Sequence, residues 1–480
     1  MSASDVTEHV ELRTGEYADS VTLLQVSRQV QQLPGVVTAQ VAMATPLNVE
    51  VLERMGFAVP DEATVNHLVV AIRLEGGGDG TNGAAAAKDR IEAVRAEVDR
   101  AIADSRRQVS GPTELAPPRT TGAALRREPG AFVLVSVPGV SAAVEAMDAL
   151  ESGSDVMVFS DNVPVEHEVA LKRYAATRDL LVMGPDCGTA VVDGLGLGFA
   201  NVVSPGPVGI VAASGTGCQQ VLALLDHAGV GVTTAYGVGG RDLSAEVGGL
   251  ATRTALARLD QDPRVELIVL ISKPPADDVA RELTAYTASL GTPVHLALLG
   301  SGRPDLTVAT EEVLGALGRD VPAWPVRGET RAATGTRLQG LFVGGTMKQE
   351  AELLVAVAGA LDRAELVDFG DDEYTTGRAH PMIDPSLRLE RLAEIAADQT
   401  TGVVLMDVVL GHGAEDDPAA SLAPAIERIA PAVVVTVVGT AHDPQGLDRQ
   451  VDALAAAGAE VHLSNAAATR RALEILEAGR

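Results

Sequence analysis

The chain has 480 residues, 46% of them hydrophobic, and a net charge of −28 from 37 basic and 65 acidic side chains. That field repels phosphodiester backbones and anionic lipid, so nucleic acid and membrane surfaces are not expected as partners. No apolar run reaches the roughly 18 residues of a bilayer span, and the start MSASDVTEHVELR lacks the basic and apolar regions of a signal peptide, which points to the cytoplasm.

Residues 1–108 read as a small α+β domain close to a ferredoxin-like βαββαβ plan without its last strand. Strands are expected at His9–Tyr17, Val36–Thr45 and His67–Leu74, and helices at Ser20–Gln32, Val49–Met55 and 84–105. Gly76–Gly83 reads as a flexible glycine-rich loop, and residues 109–130, with four prolines, as a linker. From Ala131 strands and helices alternate, which implies parallel sheets covered on both faces. The pattern gives three further domains, at 131–205, 206–325 and 326–480.

The last two look like copies of one plan. The strand at 209–213 leads into Ser214-Gly215-Thr216-Gly217 and a helix, and the strand at 340–343 leads into Gly344-Gly345-Thr346 and a helix whose first turn carries Lys348. Each puts backbone N–H groups and a positive helix dipole at the carboxyl end of a sheet, where phosphate binds. Only four of the 37 cations are lysines, 88, 172, 273 and 348, so a lysine is mildly informative. Lys273 ends a buried strand in ISKPP and should stand beside the first turn. Arg241 follows Gly239-Gly240, and its fork suits a substrate carboxylate. Asp186-Cys187-Gly188 follows another strand; Asp186 caps the turn or contacts ligand, and Cys187 is more readily a buried thiol than a nucleophile. His412 and His442 follow strands of the last domain as candidate acids or bases. Asp407, inside an apolar strand, must be paired or face a ligand. With Cys187 and Cys218 as the two cysteines, neither a disulfide framework nor a cysteine-based zinc site is expected, and no metal or bound cofactor is called for.

The segments SVPG (136–139), MGPDCGTAV (183–191), GPVGIVAASGTG (206–217) and GVGGRD (237–242) resemble the α subunit of succinyl-CoA synthetase. The final domain resembles the flavodoxin-like domain of the β subunit. The resemblance implies an α/β fold: a Rossmann-like CoA-binding-type domain followed by two flavodoxin-like ligase-type domains. With ELRTGEYADSVTLLQVSR, FSDNVPVEHEVALKR and DFGDDEYTTGRAHPMIDPSLR, the whole chain is identified as a member of the FdrA family. The last of these segments, with Glu373 and His380, reads as a substrate or subunit loop.

One departure matters. The synthetases carry a phosphohistidine in a Gly-His-Ala-Gly loop, where this chain reads Ser301-Gly302-Arg303-Pro304; an ATP-grasp domain and a P-loop are missing as well. The FdrA resemblance implies a carbamoyltransferase of the allantoin-degradation type, interconverting oxalurate and phosphate with oxamate and carbamoyl phosphate. Such an enzyme works with additional subunits, and this chain would form a homo-oligomer. An acyl-CoA synthetase subunit that binds CoA and needs an ATP-grasp partner is the alternative, and a non-catalytic scaffold is a third.

Overall fold

A computed structural model describes residues 6–75, 81–108, 118–376 and 378–479. The first part of the expected glycine loop, residues 76–80, and the first part of the linker, with Pro112 and Pro117, lie outside the described residues. Contacts divide the chain into two units, Met1–Pro117 with Asp372–Asp384, and Pro118–Asp371 with Pro385–Arg480.

The first unit runs β1 (Val6–Thr14), α1 (Ser20–Gln31), β2 (Val36–Met43), α2 (Pro46–Arg54), β3 (His67–Glu75) and α3 (Thr81–Gln108). Its sheet has the order β1-β3-β2 and is antiparallel throughout. Period-two alternation decides the layers. Leu68, Val70, Ile72 and Leu74 of β3 pack with Leu23 and Val26 of α1 and with Val98 of α3. Val69 and Ala71 point the other way, onto Leu52 and Phe57. Asp19 caps α1 by accepting Thr22 N–H at 2.9 Å.

In the second unit, α4 (Thr121–Leu125) falls inside the expected linker. It is docked there because Asp148 Oδ2 accepts Gly122 N–H at 2.6 Å and Thr121 Oγ1 donates to Glu145. Then come β4 (Val133–Val135), α5 (Gly139–Glu151), β5 (Val156–Val158), α6 (Val165–Ala176) and β6 (Val182–Met183), with the three strands in one parallel sheet. Next follow β7 (Thr189–Val192), β8 (Leu195–Gly198), β9 (Val208–Ala213), α7 (Gly215–His227), β10 (Val232–Gly237) and α8 (Leu250–Asp260). β11 (Leu267–Ser272), α9 (Asp277–Thr287), β12 (Val294–Leu298) and α10 (Leu306–Ala316) complete this stretch. Its sheet has the order β12-β11-β9-β10-β7-β8. The β7–β8 hairpin, which the sequence reading passed over, turns on Asp193-Gly194 with φ of 48° and 81°. It pairs antiparallel with β10 and so joins the sheet of the stretch that follows it.

The remainder is β13 (Val326–Arg327), β14 (Arg337–Phe342), α11 (Gly345–Val357), β15 (Ala364–Asp368), α12 (Asp372–Thr375), α13 (Ser386–Ala397), β16 (Thr401–Val409), α14 (Pro418–Arg428), β17 (Ala432–Val438), α15 (Leu447–Ala456), β18 (Ala459–His462) and α16 (Asn465–Ala478). The sheet order is β13-β18-β17-β16-β14-β15. Every residue of β16 and β17 is buried, as expected of central parallel strands covered on both faces. The segment with α12 belongs by its contacts to the first unit.

Candidate functional site

The two glycine turns meet. Ser214 caps α7 by accepting Gly217 N–H at 2.9 Å, and its Oγ lies 2.7 Å from Thr346 Oγ1 at the start of α11. The contact is close enough to require glycine: a Cβ on Gly344 would stand 2.5 Å from Thr216 Oγ1 and Cγ2. α11 has no side-chain cap, so its first N–H groups are available to a ligand. Lys273, at the end of β11, reaches this start. Its Nζ lies 2.8 Å, and Asp368 Oδ2 2.5 Å, from where a Gly345 Cβ would be. Burial pushes the Asp368 carboxyl above its ordinary range, with Lys273 and Lys348 opposing. Lys348 itself pairs with Glu352 at 2.5 Å. Thr189, which leads out of the Asp186-Cys187-Gly188 loop, points its hydroxyl toward Gly215, 3.8 Å from that residue's Cβ position. The Thr189 hydroxyl is buried without a partner. Two helix starts are thus in contact, with a cation beside the second and an unpartnered hydroxyl beside the first.

A second exchange sits behind the turns. Gln220 on α7 accepts the N–H of Asn465 at the start of α16 at 3.0 Å, and Glu350 on α11 accepts that of Leu306 at the start of α10 at 2.7 Å. Each half thus caps a helix of the other. Glu350 Oε2 also accepts Asn465 Nδ2 at 2.7 Å, yet burial pushes its carboxyl up to about 7. A carboxyl raised in the folded state stabilises fully below its unfolded pKa, and that contribution is lost as pH rises through the folded value. Stability should therefore fall between about pH 4.5 and 7. Denaturant melts at both ends of that window should show a smaller fall for Glu350→Gln; an equal fall would remove Glu350 as its source.

Arg241 is a tether more than an open fork. Its Nε pairs with Glu168 at 3.0 Å and one terminal nitrogen donates to Val163 O at 2.7 Å. Fully buried Lys172 donates to Glu168 and Asp242, each at 2.7 Å, and to Val238 O at 2.8 Å. Asp242 accepts Thr252 N–H at 2.9 Å near the start of α8. This network holds the Gly239-Gly240 turn against the Asp186 loop: a Gly239 Cβ would stand 2.5 Å from Pro185 O, and Asp186 Oδ2 lies 3.9 Å from the Gly240 Cβ position. Cys187 is buried and its thiol is pushed up, chiefly by burial; the buried Cys218 is pushed up to about 12 for the same reason. Gly188 O accepts Phe199 N–H at 2.7 Å, closing the loop.

Asp407 lies beneath the second turn and accepts Val343 N–H at 2.8 Å. Burial pushes its carboxyl up to about 7, with Arg388 opposing at 3.8 Å. The two histidines are not brought to the turns. His442 is exposed and faces Asp226 in the last turn of α7. Asp226 lies eleven positions after Gly215 along the helix, roughly 16 Å at ~1.5 Å per residue. His412 is also exposed; its N–H donates to Ala200 O at 2.8 Å and its ring lies beside Gly196. Thr189, Asp368, Gln220 and Glu350 were missed in the sequence. Asp368 carried the same signal as Lys273, a charged residue at the carboxyl end of a strand.

Residues 341–475 match the model of the CoA-ligase family, and residues 6–116 that of the AllF heavy metal-associated domain. The uncharacterized protein YahF of Escherichia coli is 35% identical over 93% of this chain and 94% of its own. The chain belongs to the YahF family. The α subunit of an ADP-forming succinate–CoA ligase from Methanothermobacter thermautotrophicus is 28% identical over 36% of this YahF-family chain and 58% of its own length. Among solved structures, ATP citrate lyase from Methanothrix soehngenii aligns over 43% of the chain and 38% of its own, with 18% identity and a TM-score of 0.34. The fold is α/β, and its CoA-ligase match lies in residues 341–475.

These relatives overturn the sequence-based expectation of a carbamoyltransferase. The matched family and the α-subunit relative are CoA ligases, and nothing in them supports carbamoyl transfer, oxamate chemistry or allantoin degradation. The placement of a ligase behind a transferase is reversed. The heavy metal implied by the N-terminal match does not fit the residues present. Neither cysteine lies in 6–116, and of the histidines His9 faces Glu11 while His67 accepts Thr64 N–H. Among the described residues no three His, Cys, Asp or Glu side chains converge.

Proposed function

We propose that this chain is a subunit of an acyl-CoA ligase of the succinyl-CoA synthetase type, handling the step between acyl phosphate and CoA. The observation that carries the reading is the contact of Ser214 with Thr346, which brings two helix starts together with Lys273 beside the second of them. In the step, the CoA thiolate attacks the acyl carbonyl, the carbon–oxygen bond to phosphate breaks, phosphate leaves with the electron pair, and the thiol proton goes to solvent. Charge grows on the leaving phosphate, so fixed N–H dipoles and an ammonium there favour the transition state over the ground state. The SVPG and Asp186-Cys187-Gly188 segments are the candidate CoA contacts. In this reading 131–205 is a Rossmann-like CoA-binding-type domain, followed by two flavodoxin-like ligase-type domains in an FdrA-type chain. Ser301-Gly302-Arg303-Pro304 offers no histidine, so nucleotide-dependent phosphorylation is assigned to a partner chain in the cytoplasm.

The test uses the full chain, alone and with that partner. Phosphate should raise the melting temperature, and CoA should consume succinyl or acetyl phosphate with thioester formed and phosphate released in equal amounts. Absence of both phosphate binding and thioester formation, with the partner present, would overturn the proposal.

A further inference from the structure

The N-terminal unit holds a buried cation that its own structure leaves short of acceptors. Arg378, in the segment that joins this unit from between β15 and α13, has a side chain only 6% exposed. Among the described residues it makes one ion pair, Nη2 to Asp384 Oδ2, long at 3.5 Å, and its buried Nη1 has no acceptor. Thr375 Oγ1, three residues earlier, is likewise buried without a partner. A guanidinium carries five N–H donors in a fixed fork and does not shed its charge, so burying it half-served is costly unless an ionised acceptor completes it.

Space for such an acceptor adjoins it. Arg378 and Asp384 line a small cleft, open to solvent, whose opposite wall is formed by α1 and β2. Leu23, Leu24 and Met43 give that wall an apolar character, while Gln40 and Asn48 add amide groups. The wall is preformed, because Arg28 of α1 donates to Ile383 O at 3.2 Å and pins the segment down. We propose that this cleft binds a small organic carboxylate, with Arg378 as its charge partner. A monoanion fits better than a phosphate dianion, since Asp384 stands at the same guanidinium and would repel the second charge. A short alkyl body would lie on the leucines and Met43. This assignment takes the place of a heavy metal in the same unit and is independent of the acyl-CoA reading.

Titration calorimetry on the full chain with the sodium salts of acetate, propanoate and pyruvate tests it, with sodium chloride as the blank. At least one carboxylate should bind saturably to the natural chain. Arg378→Met and Leu24→Trp, which remove the charge and fill the cleft respectively, should each weaken it by about tenfold or more. Gly344→Ala, at the facing turns, should leave it intact. Binding that survives both cleft variants, binding lost only in Gly344→Ala, or no saturable binding by any of the three salts would each overturn the proposal.

Discussion

Lys172→Met should destabilise the second unit by about 3–5 kcal/mol, because it removes the cation and leaves two carboxylates buried. Lys172, Glu168 and Asp242 have no exposed side-chain surface at all, and the ammonium uses each of its three donors. Arg241 would still reach Glu168 on one side. Asp242 would keep only the N–H and hydroxyl donors of Ala251 and Thr252. Lys172→Arg should not restore stability, since a planar fork cannot replace three divergent donors. Hydrogen exchange read on α6 and α8, together with denaturant melts, gives the measurement. A loss below about 1 kcal/mol would mean that water enters and solvates the carboxylates. The network would then not be what fixes the Gly239-Gly240 turn.

Gly344→Ala should abolish anion binding at the facing turns while costing only about 1–3 kcal/mol of stability. The backbone there is extended, with φ of −123°, so alanine meets no conformational strain. The obstacle is Thr216, whose Cβ would lie 2.7 Å from the new methyl. A clash at the root of a side chain is not relieved by a rotamer change, so the two helix starts must separate. Gly345→Ala is a useful contrast. Its new methyl would meet the ends of the Lys273 and Asp368 side chains, which can swing away. Phosphate binding by calorimetry should therefore be lost in the first variant and weakened in the second. Equal retention in both would remove the facing turns as an anion site.

Much of this was legible in the sequence. The repeated strand, glycine turn and amphipathic helix gave both turns, because a helix start on glycine leaves a pattern that needs no long-range information. In the first unit the strand and helix positions were legible to within a few residues, since alternation along β3 sorts its side chains between two layers. Other features escaped for identifiable reasons. The Asp193-Gly194 hairpin carried its own signal, an Asp-Gly pair between apolar residues, but it lay where β-α alternation was expected. Arg241 looked like a free fork because its partners, Glu168 and Val163, are more than seventy residues away. Strand ends alone drew His412 and His442 toward the site, although α7 spans the distance between His442 and the turns. The transferase expectation came from a likeness to a whole family, whereas the residues themselves had pointed only to phosphate.

Gln220 and Glu350 give the chain a property that neither half has alone. Each closes the exposed start of a helix that the other half contributes, so a fragment ending near residue 326 would leave the N–H of Leu306 without its acceptor, and the complementary fragment would leave that of Asn465. Cut there, the two pieces should be poor independent folders that recombine on mixing. During synthesis the earlier half must wait for the later one before it is complete. Carrying both on one polypeptide makes that encounter intramolecular, so completion depends on the length of the connection rather than on the concentration of a second gene product.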